Sequence, residues 1–370
     1  MPLELIASGP RTPELRAYDE LPLCTGEIRI RSTFASPKHG TELVAYRDAP
    51  AAHRVYDVEL GAMRPRIARE ASDAFPRPLG NMAVGTVSDI GAGVTRFRGG
   101  ETVFGHLPIR ETHTVAERMV DPLPPGLSPE AAVCLDPAVM ALAIRDARIG
   151  LGDRVALFGL GAIGLFAVQL ARLAGASHIT VVDPIAPRRA LALGFGADVV
   201  LDPSELDGDI GRAIRELTDS RETPQPDGGR IAGGYVEAPT QSGQRGVDVA
   251  VESTGVTSAL HQAIRATRFG GTVCVLSFYG NEATGLHLGE EFHINQIELR
   301  SARSQSLPLR DAPGWSLSRL TELALDWLIS GKLSAKGIVD PIVPFAECVA
   351  AYRAIDEHPE RAIKLGIRFG

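Results

Sequence analysis

Along the first third of the chain, apolar and polar positions alternate in short stretches. Glu27-Ile28-Arg29-Ile30-Arg31 has period two, the pattern of a half-buried strand. Val84–Gly91 forms a second such run, leading through Gly93, Gly99 and Gly100 to Thr102-Val103-Phe104. Strands punctuated by glycine turns predict a small β-barrel or sandwich over residues 20–120. After Pro122, Pro124 and Pro125, Ser128 stands as an N-cap with Pro129 in the first helical position. From there the pattern alternates. Strands are expected at Arg154–Gly159, Ile179–Asp183, Val199–Leu201, Val247–Glu252 and Thr272–Leu276, and helices at Ala162–Ala174 and Arg188–Leu193. Such alternation predicts a parallel sheet covered by helices on both faces, hence an α/β protein. The last stretch reads as a helix at Leu317–Ile329, a strand near Ile338 and a helix at Ala346–Ile355.

Composition narrows the function. At 370 residues the chain exceeds what one core usually organises, so two domains are expected. A net charge of −7 argues against a nucleic-acid partner. Cys24, Cys134, Cys274 and Cys348 form no CxxC pair, which excludes a disulfide framework or a cysteine-cluster zinc site. The most apolar run, Val155–Val168, contains three glycines and is too short to span a bilayer, so no membrane association is expected. Met1-Pro2-Leu3-Glu4 opens without a basic region, and the expectation is a cytoplasmic protein. Residues 219–246, rich in Gly, Pro, Gln and charge, read as a mobile surface insert.

The strongest chemical signal is Gly159-Leu160-Gly161-Ala162-Ile163-Gly164, a GxGxxG between a buried strand and an amphipathic helix. Gly159 allows the tight turn, Gly161 admits a pyrophosphate close to the backbone, and Gly164 lets helix and strand pack closely. The helix N-terminus, at Ala162 and Ile163, offers amides and a positive dipole end to the phosphates. Asp183 closes the next strand, where a carboxylate accepts both ribose hydroxyls and repels a 2′-phosphate. Arg188 and Arg189 either hold such a phosphate or frame the adenine; with Asp183 present, the cofactor read from the sequence is NAD.

Together with Gly196-Ala197-Asp198 and Val247-Asp248-Val249-Ala250-Val251-Glu252-Ser253-Thr254-Gly255, this order resembles the medium-chain dehydrogenase/reductase superfamily over nearly the whole chain. The resemblance implies a GroES-like β-barrel catalytic domain (1–144), a Rossmann doubly wound parallel sheet (145–304) and a C-terminal segment returning to the barrel (305–370). It implies a cofactor in the cleft between the domains, with Ser253, Thr254, Gly255 and Ser277 lining its nicotinamide side. It also implies a homodimer or homotetramer, paired through edge strands near Thr272–Phe278.

The zinc ligands of that family are replaced. Its Cys-Gly-Thr-Asp segment reads His39-Gly40-Thr41-Glu42 here, directly after Lys38, with His39 in the Cys place, its Gly-His-Glu reads Gly80-Asn81-Met82, and its Glu-Pro reads Asp136-Pro137. His39 and Asp136 supply two candidate ligands, short of the three a catalytic zinc takes, so the site is read as metal-free. A lysine drawn into a partly buried pocket loses some proton affinity. Lys38 or His39 is therefore the candidate proton carrier, relayed by Thr41, whose hydroxyl passes on the substrate proton in relatives; the alternative is a solvated loop lysine and a His39 that packs in place of Cys. Asn81 and Asp136 are candidates for holding substrate hydroxyls, and so are His293 and Asn295, which equally read as a strand cap or a subunit contact, while His106 and His113 read as structural. The function expected is a zinc-independent, NAD-dependent exchange of a secondary alcohol and a ketone on a sugar, polyol, cyclitol or aminocyclitol. The alternatives are a quinone or alkene reductase of the same superfamily and a non-catalytic NAD(H)-binding module.

Overall fold

The computed structural model describes residues 1–67, 74–218, 245–280, 282–307 and 309–370. Apart from Arg245 and Gly246, the expected insert 219–246 lies outside the described residues. The chain divides into two compact units, one made of 1–136 with 325–370 and the other of 137–324.

Within the first unit, the described residues form a seven-stranded sheet. Along its path lie Asp121–Pro122, Thr102–Gly105, Met82–Ile90, Glu27–Ser36, Lys364–Arg368 and Val339–Pro344, with Thr112–Ala116 also paired to Glu27–Ser36. The alternation at residues 27–31 is the start of the long strand Glu27–Ser36, which buries Ile28, Ile30 and Phe34. A smaller sheet holds Thr12–Ala17, Leu3–Gly9 and Arg77–Pro78. The core between them gathers Leu5, Ile30, Tyr46, Leu79, Ile109, Tyr352 and Leu365. Ser128 caps its helix as expected, its Oγ accepting the Ala131 amide at 3.2 Å.

In the second unit six parallel strands run in the order Val199–Leu201, His178–Val182, Arg154–Phe158, Val247–Glu252, Thr267–Val275 and Glu298–Ser301. This is the doubly wound sheet expected, and the α/β class with a β-rich partner unit holds. The stretch from Thr272, expected near a sheet edge, belongs instead to an inner strand, and the edge is Glu298–Ser301.

The division also departs from borders at 144 and 304 for a packing reason. Leu142, Ile144 and Ala147 are buried in the second unit, and Arg300 Nη1 donates to the Asp146 carbonyl at 2.9 Å. Farther on, Arg145 pairs with Asp311 at 2.9 Å and stacks 3.5 Å over the Trp315 ring. Among the described residues no helix is long and apolar enough to cross a membrane.

Candidate active site

The nucleotide loops stand at the carboxyl ends of the parallel strands, where open α/β sheets bind ligands. Gly159 has φ +91°, and a side chain there would press on Thr254. Gly164 is tighter still, since an added Cβ would lie 2.0 Å from the Gly159 carbonyl oxygen. Gly161, by contrast, faces open space. It precedes the helix Ala162–Ala174, whose first amides, Ala162 and Ile163 among them, have no acceptor within the helix. Closed on two sides and open on the third, the loop has the shape a pyrophosphate needs, and a dinucleotide fits it.

Asp183 is buried beside this loop. Its Oδ2 accepts the Leu160 amide at 2.7 Å and its Oδ1 the Ile185 amide at 2.8 Å. Each oxygen keeps a further lone pair for a ribose hydroxyl. Arg188 Nη1 is 4.0 Å from Asp183 Oδ2, and burial lowers the proton affinity of that guanidinium while Asp183 opposes the shift. Arg189 donates to the Asp183 carbonyl at 2.6 Å and pairs with Asp202 at 2.8 Å, so it braces the strand end.

Ser253, Thr254 and Ser277, expected beside the nicotinamide, make scaffold bonds here. Ser253 Oγ faces the Phe158 and Gly159 carbonyls at 3.0 and 2.9 Å. The Thr254 amide and hydroxyl, the Ser277 hydroxyl and the Tyr279 hydroxyl all donate to the carboxylate of Glu252, which is fully buried. Burial, and next the Glu252 charge, raise the Tyr279 phenol well above its ordinary range. Gly255, at φ +72°, passes within 2.8 Å of the Phe278 carbonyl at its notional Cβ. Glu252 is thus the hub of these loops, and sequence reasoning missed it. The available signal was an acid ending the strand just before Ser253.

His293 and Asn295 lie at the other end of the sheet. They precede the strand Glu298–Ser301, and the Asn295 carbonyl accepts the Gly270 amide at 2.8 Å, near the amino end of Thr267–Val275. His293 is exposed. His293 and Asn295 thus stand at the end of the sheet opposite the one that carries the nucleotide loops.

The polar cluster of the first unit centres on Asp136. Lys38 Nζ lies 3.1 Å from its Oδ1 and 3.0 Å from its Oδ2, with Asp136 buried and Lys38 partly exposed. Asp136, expected to bind substrate, is thus the counter-ion of Lys38. Glu42 fixes the backbone on either side. Its carboxylate accepts the Lys38 amide at 3.0 Å, the Gly80 amide at 2.9 Å and the Tyr352 hydroxyl at 2.7 Å. Burial raises Glu42 above the usual carboxylate range despite these donors. Asn81, next to Gly80, has a buried Nδ2 with no partner among the described residues, a donor placed to await an acceptor. Thr41 is exposed on the helix His39–Tyr46. His39 Nε2 accepts the Leu365 amide at 2.9 Å, so this nitrogen holds the chain and the ring serves as a loop anchor.

These donors do not suit a zinc ion. The Asp136 oxygens face an ammonium, His39 Nε2 is taken by a backbone amide, and Asn81 offers an amide in place of imidazole.

Residues 162–314 match the family described as zinc-binding dehydrogenase. The chain is 36% identical over 374 residues to D-guloside 3-dehydrogenase of Escherichia coli (strain K12), covering 99% of both proteins. It belongs to the medium-chain dehydrogenase/reductase superfamily. It is therefore an oxidoreductase of the dehydrogenase type. The chain is also 29% identical over 258 residues to (R,R)-butanediol dehydrogenase of Bacillus subtilis (strain 168), covering 62% of this chain and 64% of that one. The solved structure of 2R,3R-butanediol dehydrogenase from Bacillus subtilis shares the fold at TM-score 0.71 and 22% identity, covering 100% of this chain and 99% of that one.

Proposed function

We propose that this protein is a zinc-independent, NAD-dependent dehydrogenase that oxidises a secondary hydroxyl of a sugar or glycoside to a ketone. The observation that carries this reading is the Lys38–Asp136 pair, which sets an ammonium beside His39, where the family has its zinc-binding Cys, and against the carboxylate that takes the place of the family's Glu. A polyhydroxylated substrate fits the unpaired Asn81 donor and the charged surroundings, and agrees with the name of the D-guloside relative. The Gly159–Gly164 loop and Asp183 would hold NAD+, which would supply the hydride acceptor. Lys38 takes the hydroxyl proton as the carbonyl forms, Asp136 balances the ammonium that results, and Asn81 holds an oxygen of the substrate. Preference for NAD over NADP rests on the buried Asp183 carboxylate, which repels a 2′-phosphate.

The test uses enzyme dialysed against EDTA, NAD+ and a panel of methyl hexopyranosides that includes a methyl D-guloside, with NADH formation measured. Turnover with a glycoside, lost by about 10²-fold or more in Lys38→Met, is expected. Turnover that appears only when zinc is restored, or that survives in Lys38→Met, overturns the reading.

A further inference from the structure

The chain as a whole is acidic, yet the second unit contains a cavity whose charged lining is mostly cationic. Arg145, Arg303 and Arg310 stand there against Asp146 and Asp311. The cavity measures about 310 Å³, at the small end of ligand pockets, which run from roughly 300 to 1,000 Å³. Its place in the fold also suits a ligand. Ser301 closes the edge strand Glu298–Ser301, which runs parallel to Thr267–Val275, and Arg303 and Ser304 follow it. This part of the lining therefore leaves the sheet at its carboxyl end, where open parallel sheets bind ligands.

Two of the cations are fixed by neighbours. Arg310 Nε lies 3.4 Å from Asp146 Oδ2, and its Nη2 donates to the Ser301 carbonyl at 2.9 Å. Arg145 is held between Asp311 and the Trp315 ring. A guanidinium has five N–H donors, so these contacts orient both groups without using them up. Arg303 has no carboxylate partner among the described residues, and its Nη1 donates to Ser306 Oγ at 3.3 Å. Ser304 is only 2% exposed, and its hydroxyl donates to the Met140 thioether at 3.3 Å, a weak acceptor for a buried donor. Arg303 and Ser304 are thus the groups that an incoming oxyanion would complete.

We infer that this cavity binds a small hydroxylated molecule carrying an oxyanion, a sugar phosphate or a sugar acid. Arg303 and Arg310 take the oxyanion, since planar guanidiniums match phosphate and carboxylate oxygens in pairs. Asp146 and Asp311 keep lone pairs for sugar hydroxyls. A bare phosphate would leave much of the space empty, and a neutral sugar would leave Arg303 uncompensated. The cavity lies wholly within residues 137–324, and the inference does not depend on the reading of Lys38.

Calorimetry on the full chain tests it with glucose 6-phosphate and glucuronate, against glucose and inorganic phosphate as the separate halves. At least one of the two anionic sugars is expected to bind with a Kd ten-fold or more below those of glucose and phosphate, and which one does so names the oxyanion. Arg303→Gln removes an exposed charge and is expected to weaken that binding by about ten-fold. Should R303Q fail to fold, Ser306→Ala decides, with a loss of about three-fold expected. Failure of both anionic sugars to bind, equal binding of glucose or phosphate, or an unchanged Kd in the folded variant overturns the inference. An anion seated in the dinucleotide loop would be displaced by NADH and indifferent to R303Q, which overturns it too. A chain silent toward glycosides removes the proposed reaction and leaves this binding to stand or fall by itself.

Discussion

His113 lies on the strand Thr112–Ala116, buried, with Nε2 facing Ser32 Oγ at 3.1 Å. Burial first, and the nearby Arg110 second, lower its pKa to about 3. In the unfolded chain it titrates near the ordinary histidine value of 6.5. The folded state thus holds the ring neutral, and the stability this provides is full above about pH 6.5 and lost as pH falls toward about 3. Chemical denaturation across that window should show stability dropping by a few kcal/mol on this account. His113→Gln should flatten the slope; an equally steep profile in the variant would place the acid sensitivity elsewhere. His113 was legible as structural from its isolation in sequence. Lys38, Asn81 and Asp136 were legible as a group because each occupies a recognisable motif position. Lys364 was not, since a lysine whose partner is 327 residues away leaves no spacing to read.

For single elements, legibility followed local regularity. The helix Ala162–Ala174 and the strands Val199–Leu201 and Val247–Glu252 fall at their expected bounds, because a buried β-run or an amphipathic period declares itself within the segment. The hairpin Leu3–Gly9 with Thr12–Ala17 was hidden by its turn, where Arg11 takes φ 54° in place of a glycine or asparagine. The strand Lys364–Arg368 was hidden by its own residues: a buried lysine and Gly366, whose missing side chain lets Phe34 and Val339 close in. The strand–loop–helix at residue 159 supports two expectations. Gly164→Ala must move the Gly159 carbonyl, at a cost of about 2 kcal/mol or more, lowering Tm and weakening NADH binding in a fluorescence titration. Asp183→Ala frees the Leu160 and Ile185 amides, so NAD should weaken and its advantage over NADP narrow; an unchanged ratio of the two Kd values would remove Asp183 from the ribose site.

At the scale of the whole molecule, the two units differ in how the chain builds them. The nucleotide unit is a single run, 137–324, and carries every residue assigned to the dinucleotide, from Gly159 to Ser277. The other unit needs both ends of the chain. Its strand Lys364–Arg368 lies between Glu27–Ser36 and Val339–Pro344, and Lys364 and Leu365 supply the bonds that hold residues 36–39. Buried Tyr352 and Leu365 also belong to its core, so a chain ending at 136 leaves apolar surface and sheet edges uncovered. A fragment spanning 137–324 is therefore expected to unfold cooperatively and to bind NADH by calorimetry, whereas 1–136 alone should lack a cooperative transition. Adding a separate 325–370 peptide should restore that transition if the strand is what the sheet lacks. A cooperative transition in 1–136 without the peptide would show that its core closes without the C-terminal strand, and the loop carrying Lys38 would then owe its order to Glu42 alone.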